Sequence, residues 1–78
     1  MALDESLISA LAEKWTQEYA LTGREAQVLV ALLQDKRRKE IAEELNVTEH
    51  TIKKHTGNIF SKLEVTSRAG LFALADRT

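Results

Sequence analysis

Apolar residues recur at helical spacing along almost the whole chain, with no proline and only three glycines in 78 residues to interrupt them. An apolar side chain at every third or fourth position gives an α-helix one face to bury, whereas a half-buried strand needs strict alternation. The pattern therefore predicts an all-α fold of four or five helices joined by short connections. A chain of this length suits one small domain with a limited core.

The first helix is predicted in the segment LISALAEKWTQEY. Its apolar residues recur at helical spacing and are Leu7, Leu11 and Trp15, with Ile8 and Tyr19 beside them. Asp4 or Ser6 is placed to cap its start, because a short polar side chain accepts a hydrogen bond from a free amide of the first turn. We expect this helix to precede the main domain.

Capping residues predict two further helices. Thr22 and Glu25 have the spacing of a capping box, in which each side chain satisfies a free backbone amide near the other residue. The inner face of the helix that follows comprises Val28, Leu29, Leu32 and Leu33. The last helix, in TSRAGLFALA, has Thr66 and Ser67 as candidate caps and is apolar nearly all round. One of its faces can pack on a small core, and the other needs a partner.

A short helix, a tight turn and a longer helix are predicted between these two elements. The short helix, in KEIAEELNV, is closed by Asn46, which tolerates left-handed backbone geometry. Thr48 is placed to cap the longer helix, which covers residues 49–63. The inward positions of the longer helix are Ile52, Thr56, Ile59 and Leu63. This order of elements predicts a helix-turn-helix, whose second helix enters the DNA major groove.

The net charge of −1 conceals a basic region. Residues 1–35 carry six acidic and two basic side chains, whereas residues 36–78 carry six acidic and nine basic ones. The outward face of the long helix displays His50, Lys54, Gly57 and Ser61, and Lys53 and Asn58 flank that face. Lysine can donate to guanine or to phosphate, and asparagine can pair with adenine. This face therefore fits a polyanion.

Residues 21–75 resemble the LuxR-type, or GerE-like, DNA-binding domain of bacterial transcription regulators, including the output domains of response regulators. The segments that carry the resemblance are LTGRE, KEIAEELNVTEHTIKKH, NIFSKLEV and SR, and no gap is needed between them. The resemblance implies a four-helix LuxR-type domain over residues 21–78. Residues 1–20 form an N-terminal helix or linker.

The resemblance also implies which residues contact DNA. In this family the positions matching Lys53, Lys54 and Gly57 face base edges in the groove. The positions that lie near the phosphate backbone match Arg38, Lys39, Thr48, Thr51 and Lys62. The last helix commonly forms a two-fold dimer contact, which implies that Leu71, Leu74 and Ala75 lie at an interface. Phosphate contacts would supply salt-sensitive affinity, and the groove positions would choose the sequence.

The function implied is sequence-specific binding of duplex DNA as a homodimer, in the cytoplasm, to regulate transcription. Contact with RNA polymerase would add to this function without excluding it. The alternative is a protein-association module, or an antagonist that pairs with another helix-turn-helix regulator without binding DNA. The low net charge and the apolar last helix suit that alternative. Lys53 and Lys54 argue against it, because a pure protein binder has no reason to keep groove positions basic.

Three features depart from the family pattern. Glycine is usual near Asp35, and small or amide residues are usual where Arg37 and Arg38 stand, so this connection is unusually basic and is expected to gain phosphate contacts. Gly57 occupies a position where other members often present a side chain. The helix before residue 21 is either a linker from a regulatory domain or a cover over the core, and we favour the linker.

The residue types present argue against other functions. The absence of cysteine excludes a disulfide scaffold, a thiolate metal site and a cysteine nucleophile. No nucleophile has a partner base, and no pair of carboxylates has a pocket, so we expect no enzyme activity. His50 and His55 point in different directions on a helix and no acidic residue completes a metal site. We therefore expect no metal, no cofactor, no small-molecule ligand and no membrane association.

Overall fold

Five helices make up the fold of residues 3–78, the part of the chain described by this computed structural model. In chain order they are α1 (Glu5–Glu18), α2 (Gly23–Leu33), α3 (Arg38–Leu45), α4 (Glu49–Leu63) and α5 (Arg68–Arg77). The predicted all-α class is confirmed, with four helices after an additional N-terminal one.

Helix α2 lies at the centre of the packing, against α1 on one side and α4 on the other, and α3 packs against α4. The predicted inner face of α2 is fully buried. Its four residues are each at most 1% exposed, and they are Val28, Leu29, Leu32 and Leu33. The largest fully buried side chains of the core are Trp15, Val28, Leu29, Leu32, Leu33, Ile41, Ile52, Ile59 and Leu71. Each of the five helices therefore contributes to one hydrophobic core.

Helix α1 covers part of this core. Its buried residues are Ile8, Leu11, Ala12 and Trp15, whereas Leu7 is 40% exposed. The predicted apolar stripe is therefore rotated: Leu11, Trp15 and the neighbouring Ile8 are buried as part of the core, whereas Leu7 is not. Asp4 is the cap, and its Oδ1 accepts a hydrogen bond from the Ser6 amide at 3.4 Å. Helix α1 thus covers part of the core. The role of residues 1–20 as a linker and the domain boundary after residue 20 stay predictions.

Helices α1 to α4 all end in a left-handed residue that is not glycine. These residues are Ala20, Asp35, Asn46 and Glu64, with φ between 54° and 61°. In each case the amide of the next residue donates to the carbonyl five residues earlier, which closes the helix. Asn46 and Asp35 suit this conformation better than most residues, and the role of Asn46 was predicted. Ala20 and Glu64 bear a steric cost of about 1 kcal/mol each.

Candidate nucleic-acid interface

A wedge of buried side chains fixes α3 against α4. Helix α3 ends at Leu45 and α4 begins at Glu49, with the left-handed Asn46 making the turn between them. Ile41 and Ala42 of α3 and Ile52 of α4 are buried at the crossing of the two helices. The angle of α4 is therefore set by packing and not by the loop alone.

The outward face of α4 is open, as the periodicity predicted. Lys53, Lys54 and Gly57, the three predicted base-contacting residues, are all exposed. A β-carbon placed on Gly57 would meet nothing within 4 Å, so the backbone there is accessible from outside. His50, Asn58 and Ser61 are exposed on the same side. The structure thus brings together two cations and an accessible stretch of backbone on one helical surface.

The predicted phosphate-contacting residues lie on two flanks of α4. At about 100° per residue, Thr51 and Lys62 lie on the flank next to α2, and Lys53 borders the opposite flank. Arg38 and Lys39 begin α3 on that second flank, where Arg38 Nε lies 3.6 Å from Glu49 Oε1. Because a DNA backbone runs along each wall of a groove, this division would allow contacts to both strands.

Two of these residues, Thr48 and Thr51, meet at the start of α4, where Thr48 is the cap. The Thr48 Oγ1 accepts a hydrogen bond from the Thr51 amide at 3.2 Å, and the two hydroxyl oxygens lie 3.0 Å apart. The predicted role of Thr48 as the cap is confirmed. A phosphate contact from either threonine stays a prediction.

Lys62 is engaged inside the fold. Its Nζ lies 2.7 Å from Glu25 Oε1 and donates to the Ala20 carbonyl at 3.2 Å. An ammonium group has three donors, so one remains for a phosphate. The phosphate contact predicted for Lys62 therefore has to share this side chain with a structural ion pair.

Glu25 is the partner in that ion pair and is only 4% exposed. Its Oε1 also accepts a hydrogen bond from the Thr22 amide at 2.9 Å, and the Glu25 amide donates to Thr22 Oγ1 at 3.1 Å. The predicted capping box is confirmed. The hydrogen bonds from Lys62 and the Thr22 amide hold the pKa of Glu25 below its ordinary value, although burial acts in the opposite direction. Glu25 thus joins the start of α2 to the end of α4.

A basic cleft of about 450 Å³ opens on the flank of α4 that faces the starts of α3 and α5. Its charged lining consists of Arg37, Arg38, Lys39, Lys53, Arg68 and Glu49. Arg68 has no site role among those predicted from the sequence, and it stands about 30 residues after Arg37 and Arg38. No local spacing in the sequence indicates that Arg68 lies near the other cations of the cleft, because this proximity depends on how α5 packs on the domain.

The three residues predicted at a dimer interface differ in how far they are buried in the monomer. Leu71 is 0% exposed and Ala75 is 4% exposed, so both pack inside the monomer. Leu74 is half-buried and keeps part of its apolar surface. A second copy docking on α5 would therefore meet Leu74 and not the other two. None of the helices within residues 3–78 is long and apolar enough to cross a bilayer.

The arrangement of α3 and α4, with basic residues outward on the second helix, defines a helix-turn-helix domain. The family model described as bacterial regulatory proteins of the luxR family matches residues 19–75. The chain belongs to this family, as its motifs predicted.

Curated relatives agree with this assignment. The chain is 47% identical over 58 residues to the uncharacterized transcriptional regulatory protein YhcZ of Bacillus subtilis, a match that covers 72% of this chain and 27% of that protein. It is 43% identical over 58 residues to the transcriptional regulatory protein LiaR of B. subtilis, covering 74% and 28%. It is 47% identical over 49 residues to the spore germination protein GerE of B. subtilis, covering 63% and 66%. The chain thus spans about a quarter of the length of the first two relatives. No solved structure matches it significantly.

Proposed function

We propose that this chain is the output domain of a bacterial transcription regulator and recognises duplex DNA through α4. The observation that carries the proposal is the exposure of Lys53, Lys54 and Gly57 on the side of α4 that does not pack on the core. Membership of the luxR family and similarity to proteins named transcriptional regulators support it. The cytoplasm, where bacterial DNA lies, is the compartment that this function requires.

The mechanism follows from the chemistry of the two surfaces. With α4 in the major groove, the ammonium groups of Lys53 and Lys54 can donate to guanine O6 and N7, and Gly57 lets the helix backbone approach the bases. Cations on the flanks would replace counterions condensed on the phosphates, which makes affinity fall as salt rises. Base contacts would choose the site, and phosphate contacts would hold the domain in register.

A homodimer through α5 belongs to the same proposal. Two-fold pairing would place two α4 helices about one helical turn apart, on two half-sites of one operator. Leu74 offers half-buried apolar surface for this contact. RNA polymerase is a further partner if the regulator is an activator.

The alternative is a protein-association module that pairs with another regulator and does not bind DNA. The net charge of −1 and the apolar surface of Leu74 and Phe72 on α5 favour it. It leaves the exposed cations of α4 without a role.

The test compares the wild type with the double variant K53A/K54A on a labelled random-sequence duplex of roughly 20 base pairs, by fluorescence anisotropy at about 50 and about 200 mM salt. We expect the wild type to bind at the lower salt and to lose more than tenfold in affinity at the higher one. The double variant should bind at least tenfold more weakly at the lower salt and melt at the same temperature, since both side chains are exposed.

The matched control is K14A/R77A, which removes two positive charges from α1 and from the far end of α5 and should bind nearly as the wild type does. Equal affinity of K53A/K54A and the wild type would refute the assigned face. A wild type that does not bind even at about 50 mM salt would favour the protein-association module.

A further inference from the structure

The basic cleft described above concentrates positive charge beside the recognition helix. Five cations line it and Glu49 is its one acidic lining residue. Its apolar lining comes from Ile52 and Phe60. Arg68 belongs to neither the predicted base contacts nor the predicted phosphate contacts, whereas Arg37 lies in the basic connection that the sequence predicts to gain phosphate contacts.

Most of this charge is not neutralised within residues 3–78. Arg38 is paired with Glu49 at 3.6 Å, whereas Arg37, Lys39 and Lys53 form no ion pair there. Like charges gathered in one cleft repel each other, so the arrangement costs stability unless an anion enters. The chemistry of the cleft is therefore complementary to a phosphate.

Arg68 has hydrogen-bonding capacity that the fold does not use. Its Nη1 is enclosed and has no hydrogen-bond partner among the described residues. The nearest carboxylate oxygen, Asp35 Oδ1, lies 3.9 Å away, which is too long for a hydrogen bond. About a third of the side chain remains exposed. Nη1 itself is closed to solvent, so a phosphate in the cleft would meet the exposed part of this side chain, which lines the cleft.

Arg37 occupies a position where the fold alone would prefer another residue. It is the N-cap of α3, and its side chain makes no capping hydrogen bond. The Arg37 amide donates to Glu40 Oε1 at 3.1 Å, so the reciprocal half of a capping box is present without a capping side chain. Serine, threonine, aspartate or asparagine would stabilise this helix start better. The guanidinium of Arg37 is thus free for another role.

The cleft continues into the surface that reads DNA. Lys53 belongs to both, because it lines the cleft and lies at the edge of the outward face of α4. A helix in the major groove has a phosphate backbone along its flank, at the place where this cleft opens. We infer that Arg37 and Arg68, on two helices that flank α4, hold one backbone phosphate of duplex DNA in this cleft. The inference rests on the proposed function and adds two contacts to it.

Two variants test the inference by fluorescence anisotropy with the same random-sequence duplex. R68Q should weaken binding roughly five- to tenfold at about 0.1 M salt and lower the slope of log affinity against log salt by about 0.9. R37S should weaken binding similarly, yet raise the melting temperature by about 4–8 °C, because serine caps α3. Weaker binding by a more stable protein cannot come from unfolding.

Two controls separate a phosphate contact from other effects. R77Q removes the same charge at the other end of α5, about 14 Å from Arg68, and should leave the affinity nearly unchanged. D35N breaks the pairing of Arg68 with Asp35 but keeps the cation, so it should leave binding unchanged or tighten it. If R68Q and D35N weakened binding equally, Arg68 would act only through the fold, and the inference would be overturned.

The remaining outcomes separate this inference from the proposed function. A wild type that binds with strong salt dependence, together with R68Q and R37S variants that bind as R77Q does, would overturn the inference and leave the proposed function standing. A wild type that fails to bind at about 50 mM salt would overturn both.

Discussion

Glu64 ends the recognition helix α4 in a left-handed conformation, with φ of 58°. The β-carbon of any residue but glycine is crowded in this conformation. The carboxylate also lies at the C-terminal end of the helix, where the macrodipole is negative. The side chain is exposed, and within residues 3–78 it forms no ion pair that would offset these costs.

At this scale we predict that Glu64→Gly stabilises the domain by about 1 kcal/mol. For a chain of this size that gain corresponds to a rise of about 4–8 °C in melting temperature, which circular dichroism can follow. Asn46→Gly is the control, because asparagine already tolerates the left-handed geometry and the gain should be much smaller. A melting temperature for Glu64→Gly at or below that of the wild type would contradict the prediction.

Between secondary-structure elements, Glu25 connects the start of α2 with the end of α4. Glu25 binds its own helix start through Thr22 and the end of α4 through Lys62. Its pKa is held below the ordinary value of 4.5 by those hydrogen bonds, with Lys62 the largest contribution. A carboxyl with a lowered pKa stabilises the fold fully above its ordinary pKa. That contribution is lost as pH falls through the lowered value.

We therefore predict that Glu25→Gln lowers the free energy of unfolding by about 1–2 kcal/mol at pH 7, since glutamine keeps the capping box but not the ion pair. The deficit should shrink at a pH below the lowered pKa of Glu25, where the wild-type carboxyl is also uncharged. Urea unfolding at the two pH values measures it. The control is Glu18→Gln, which breaks the exposed Lys14–Glu18 pair and should cost less than about 0.5 kcal/mol. An equal deficit for Glu25→Gln at both pH values would show that the charge does not matter.

The contacts of Glu25 show which features could be predicted from the sequence and which could not. Thr22 and Glu25 are three residues apart, so their capping box is a local signal, and the exposure of Lys53 and Lys54 follows from helical periodicity alone. Lys62 lies 37 residues from Glu25, and that pairing depends on how α2 docks on α4. The rotation that buries Ile8 and exposes Leu7 is equally non-local, since both fit an apolar stripe.

At the scale of the whole molecule, burial limits how two copies can meet. Leu71 and Ala75 of α5 complete the core, and their burial leaves almost none of their surface for a second chain. Helix α5 has only ten residues, so an interface built on it is small, and small interfaces are weak. We therefore expect a monomer in dilute solution and a dimer at high concentration or on two adjacent DNA half-sites.

The prediction at this scale is that Leu74→Asp abolishes self-association without unfolding the domain, because a carboxylate would be desolvated at the interface but stays partly hydrated in the monomer. Sedimentation equilibrium from about 10 µM to about 1 mM should show a monomer–dimer equilibrium for the wild type and a monomer throughout for the variant. Leu71→Asp is the contrasting change and should lower the melting temperature strongly, since Leu71 is fully enclosed. If Leu74→Asp associated as the wild type does, the two copies would have to meet on a surface other than α5.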